Sequence, residues 1–188
     1  MQWGKEEDRH GRIFAGIAGR CGIPIEPPSV PPNFGVPAWQ RFAEEYVLRD
    51  HFIPTHMAWG VASELMTRWA YGLLIDRAED PLFRKLMTMI MREESIHLAA
   101  YKGFARALLA ESPLSRIVAR QIVGRFWAPV GNEENSRETT RAAVRFVDAE
   151  IPRFAHQVES TVWSIPGFHG VDLVRNVKQF FAQIECPV

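Results

Sequence analysis

The chain has 188 residues, 47% of them apolar and 23% charged, which suffices for one domain with a substantial core. Lys plus Arg and Asp plus Glu both number 22, so no global charge draws it to nucleic acid or to an anionic membrane surface. No apolar run is long enough to span a bilayer, and Lys5, Glu6, Glu7, Asp8 and Arg9 stand where a signal peptide needs apolar residues, so the expected location is cytoplasmic. Cys21 and Cys186 are too few for a disulfide framework or a four-thiolate metal site and read as two reduced thiols.

Residues 1 to about 21 keep helical spacing, and the proline-rich stretch 22–37 ends it as an extended connector. A second helical stretch begins near Ala38, is interrupted or kinked near Pro54, and continues over 55–76. Asp80 and Pro81 supply an N-cap and a first-turn proline for a long helix reaching about Ala110. Ser112 and Pro113 open another to about Trp127, after which Pro129, Gly131 and the polar run 132–136 make a loop. Residues 137–163 read as helix with a kink at Pro152, and 171–184 as a short terminal helix. Strand-period alternation is nowhere convincing, so the expected class is all-α, a single domain over 1–188 with its core in 1–130 and further helices in 131–188.

One short motif occurs twice, as Glu6-Glu7-Asp8-Arg9-His10 and as Glu93-Glu94-Ser95-Ile96-His97. Helical residues three apart share a face. Glu7 with His10, and Glu94 with His97, can therefore each offer a carboxylate oxygen and an imidazole nitrogen to one metal ion. A single Glu-x-x-His carries little weight, and the neighbouring residues decide. The stripe Phe83, Met87, Ile90, Glu94, His97, Tyr101, Phe104, Leu108 puts the second pair in an apolar seam, and Trp3, Glu7, His10, Phe14, Ile17, Cys21 does the same for the first. Glu6 and Glu93 lie about 100° round their helices, on the flank. Glu64 shares an inward face with Met57, Val61, Thr67, Tyr71 and Ile75.

Burying three carboxylates without partners costs several kcal/mol each, about what a bound cation offsets. Carboxylate and imidazole ligands without thiolates suit iron or manganese better than a structural zinc. The competing reading pairs the acids with buried arginines and leaves the two histidines as satisfied core residues. Thr67 is open in the same way, since a helical Thr often bonds the carbonyl one turn back.

These residues, in this order, resemble the acyl-carrier-protein desaturases of the soluble ferritin-like di-iron group. Trp3, Glu6-Glu7, Arg9-His10 and Gly11 look like that family's second metal helix. Glu64-Leu-Met-Thr67, with Gly72 following, looks like its Glu-x-x-Thr helix, and Glu94-Ser-Ile-His97 with Ala100-Tyr101 resembles its last metal helix. The likeness covers about residues 1–130 and fades beyond. It implies a ferritin-like bundle in which Glu7 and Glu94 bridge two irons, His10 completes one, Glu64 with His97 completes the other, and Thr67 stands beside the oxygen-binding face. The implied activity is O₂-dependent desaturation of an acyl chain held on an acyl carrier protein, with a ferredoxin-type electron donor and a homodimeric assembly. Another di-iron oxidase or oxygenase of the group, or a shortened metal-binding relative without turnover, is the alternative.

The family pattern also asks for a single Glu on a helix ahead of the first motif, where this sequence opens at Met1. A shortened chain is the preferred expectation; a Glu supplied by a second polypeptide and a degenerate relative are the other two. Glu44, Glu45, Glu150 and Glu159 are the acids that could stand in. The helices around Trp59, Trp69 and the run 87–91 are expected to keep an uncovered apolar face, which favours oligomerisation.

Overall fold

The computed structural model describes residues 2–23, 49–129 and 145–185, and every regular element among them is helical. The all-α expectation is met there. The chain divides into two units, Met1–Gly35 and Val36–Val188. The remainder of the connector, the stretch 38–48 with Glu44 and Glu45, the loop from 130 with the start of the helix expected after it, and Cys186 lie outside the described residues.

The first unit holds α1 (Gln2–Arg20). Gly22 ends it with a φ of 69°, a conformation that Gly adopts without steric cost, and the Ile23 N–H then reaches back to the Ala18 carbonyl at 2.9 Å. The inward stripe expected for this helix is met at His10, which is buried, but is not a continuous seam: Glu7 and Cys21 are exposed, and Phe14 and Ile17 are half-buried. One helix is all the regular structure described in this unit, and none of its described apolar residues is buried.

The second unit contains α2 (Phe52–Arg77), α3 (Pro81–Glu111), α4 (Pro113–Phe126), α5 (Ile151–Thr161) and α6 (Leu173–Glu185). The caps read from sequence are made. The Phe83 N–H donates to Asp80 Oδ1 at 2.8 Å, and the Ser115 N–H to Ser112 Oγ at 3.1 Å, with Pro81 and Pro113 at the first helical positions. Asp80→Ala should cost about 1 kcal/mol in chemical denaturation, the usual worth of such a cap. Asp80→Asn, which keeps the acceptor, should cost almost nothing; equal losses in the two variants would show that the cap is not what matters.

Near Pro54 the expected interruption is a helix start, and near Pro152 a 3₁₀ turn parts the helical residues 145–147 from α5. Pro54 and Pro152 both sit in the first turn of their helices, where a missing N–H breaks no intrahelical bond, and each follows a 3₁₀ turn, Arg49–His51 and Asp148–Glu150 respectively.

The core runs through Val61, Leu65, Trp69 and Leu73 of α2, Leu98 and Leu109 of α3, and Val123 of α4, and it is completed by Phe154, Phe168, Leu173 and Val177. The Trp69 ring packs on Phe154 with centroids 4.9 Å apart. The C-terminal helices thus cover Trp69, which sequence reading left bare, although Met89 remains 48% exposed. Gly60 sets the spacing of α2 and α3: a Cβ there would fall 2.4 Å from the Tyr101 ring, so the ring lies directly over the glycine backbone. Arg120 donates to the carbonyls of Gly167 and His169, at 2.6 and 2.8 Å, and holds the segment after α5 against α4. The Asn176 amide donates to the carbonyls of Gly124 and Trp127, at 3.2 and 2.9 Å, and so closes the C-terminal end of α4 from α6. Among the described residues no helix is long and apolar enough to cross a membrane.

Candidate metal centre

The long helix α3 carries the most informative pair. Its buried side includes Met87, Ile90 and Leu98, and between them Glu94 and His97 are both buried, at 3% and 4% exposure. His97 Nδ1 lies 3.0 Å from Glu94 Oε2. The two donors therefore point to one spot on an apolar helix face. Two adjacent ligands of one ion at bond lengths of about 2.1 Å and a right angle stand roughly 3 Å apart, so the donor set and its separation fit a divalent metal. The same separation serves a hydrogen bond when Nδ1 carries the proton, which the tautomer decides.

Glu93 is half-buried where Glu94 is buried, as their 100° offset on the helix requires. On α1 the same spacing brings Glu7 Oε2 to 3.7 Å from His10 Nδ1. Both repeats of the motif thus form local carboxylate–imidazole pairs.

Glu64 and Thr67 are half-buried on α2, beside a buried stripe made by Ala58, Val61, Ala62, Leu65, Trp69 and Leu73. Here the inward face is rotated from the one read in the sequence. The reason is that α2 packs on α3, α4 and α5 together, so its buried sector is broader than one stripe and its centre moves. Glu64 does not join Glu94 and His97 in a group whose ligand atoms all lie within 4.8 Å. The seam of α3 also drifts after His97: Phe104 is 61% exposed and Ala105 and Leu109 are buried instead, because the step after Tyr101 is four residues rather than three. Of the substitute acids, Glu150 is 3.8 Å from Arg77 and Glu159 is exposed.

No family model, curated protein or solved structure matches this chain. What it can do is therefore read from its own residues. The second unit offers one carboxylate and one imidazole in a dry seam, and α1 offers a second such pair. Sequence reasoning did not single out Gly60, which fixes how closely α2 approaches the helix bearing Glu94 and His97. A glycine inside a helical pattern was the available signal.

Proposed function

We propose that this chain is a non-haem di-iron oxidoreductase of the ferritin-like class, acting with O₂ on an acyl chain held by an acyl carrier protein, as its resemblance to the desaturases implies. The observation that carries the reading is the buried Glu94–His97 pair: two ionisable side chains sit 3.0 Å apart among apolar residues, where a cation offsets the cost of burying the carboxylate. In this reading Glu7, His10, Glu64, Glu94 and His97 would be the residues that hold the iron.

Bound iron supplies the redox chemistry with O₂: two hydrogens leave the acyl chain, a ferredoxin-type donor gives two electrons, solvent gives two protons, and O₂ ends as two waters. The chain's own part is to orient and to exclude. Met87, Ile90 and Leu98 keep water from the carboxylate and the imidazole, and the Thr67 hydroxyl is assigned to the oxygen-binding face, where it holds a proton. A homodimer belongs to the same proposal.

A metal-binding protein without turnover is the second reading, favoured by the position of Glu64 outside a close triad with Glu94 and His97. Anaerobic ferrous loading of the full chain, followed by an oxygen pulse, separates the two. About two irons per chain that oxidise rapidly support the oxidoreductase. Iron that binds and stays ferrous supports the second reading, and iron at background overturns both.

A further inference from the structure

A cavity of about 410 Å³ opens between α2, α3 and α5, and neither Glu94 nor His97 lines it. Its apolar floor is Leu65, Trp69 and Met91, and its charged wall is Arg68, Arg153 and Asp76. On α2 the cavity residues are centred roughly a third of a turn from the middle of the face bearing Glu64 and Thr67, so it lies on another flank of the helix.

Two observations point to what this space holds. Trp69 is 3% exposed, and its indole N–H is buried without a hydrogen-bond partner among the described residues. The Nε of Arg68, the preceding residue, is also buried without one. Buried donors are almost always satisfied, so two adjacent orphans in the wall of one cavity mark a place for an acceptor. Charge narrows the choice. Among the described residues Asp76 is the one acid in the wall, and its Oδ2 already accepts from Arg153 Nη1 at 3.1 Å, so none of them supplies a counterion to Arg68 there. One uncompensated positive charge asks for a monoanion, a planar carboxylate matches the guanidinium fork, and the Leu65–Trp69–Met91 floor asks for an apolar body.

We propose that this cavity binds a small organic carboxylate, with its carboxyl group held by Arg68 and the Trp69 indole N–H and its hydrocarbon part lying on Leu65, Trp69 and Met91. The inference is independent of whether iron binds.

Hydrocinnamate is the probe, and the indole ¹H–¹⁵N cross-peaks of the full chain are the readout, with Trp69 assigned by its loss in Trp69→Phe. Hydrocinnamate should move the Trp69 cross-peak saturably. Hydrocinnamyl alcohol, which keeps the apolar body and loses the charge, should bind about tenfold more weakly, as should hydrocinnamate to Arg68→Met. Gly72 lines the same cavity and a Cβ added there meets no atom within 4 Å, so Gly72→Leu should fill the space and abolish the shift while leaving the melting curve in place. No movement at millimolar hydrocinnamate, equal binding of the alcohol, or an unchanged shift in Gly72→Leu would each overturn the proposal. An equal shift with inorganic phosphate alone would overturn the apolar part of it.

Discussion

Glu94→Ala and His97→Ala are each expected to lower iron bound after anaerobic ferrous loading by well over tenfold, whereas Glu93→Ala leaves it unchanged. The size follows from position: changing a partner that merely supports a ligand already costs about ten- to a hundredfold, and these two side chains would be ligands themselves. The contrast with Glu93 follows from geometry, because one residue's step turns a carboxylate out of the Met87–Ile90–Leu98 seam that buries Glu94. Far-ultraviolet circular dichroism of the metal-free variants keeps folding apart from ligation. Equal iron in all three variants would remove the assignment of α3 as a metal helix, and equal loss would mean that any acid at this end of the helix serves.

The second large effect concerns Gly60. Gly60→Val should destabilise the protein by about 1–3 kcal/mol, the usual cost of overpacking, although a glycine inside a helix is ordinarily improved by a side chain. For a chain of this size that corresponds to a melting temperature roughly 2–12 °C lower. The obstacle is specific: the Tyr101 ring lies over the position and also meets His56 edge-on, with centroids 6.0 Å apart, so moving it disturbs a second contact. Adding Tyr101→Ala to Gly60→Val should return part of the loss, since residues in direct contact do not add independently. An unchanged or higher melting temperature in Gly60→Val would show that the helices can separate without cost.

Helix starts were legible because the residues that make them are adjacent in sequence. Asp80 with Pro81 and Ser112 with Pro113 bring both the cap and the proline within two positions, and their bonds are in place. Pro54 and Pro152 were legible only as breaks in a helix. A proline says that a helix cannot run unbroken through it, and only the backbone around it decides between a kink and a beginning. The Glu94–His97 pair was readable since both ends lie on one turn of one helix, whereas the setting of Glu64 depends on how α2 rolls against three neighbours. The same limit hid the C-terminal contribution: nothing near Trp69 in the sequence announces that Phe154 will cover it, and nothing near Arg68 announces a cavity whose far wall is α5.

Asn176 has a consequence for the order in which the protein takes shape on the ribosome. The carbonyls of Gly124 and Trp127 are closed by a side chain that emerges some fifty residues later, so while the chain is being made the end of α4 can only be hydrated. The hairpin of α2 and α3 can settle early, because its partners are consecutive; α4 becomes dry at its far end only when α6 arrives. A nascent chain halted before Asn176 would therefore hold its first helices yet lack the final seal on α4, an intermediate suited to recognition by chaperones until the last stretch is released.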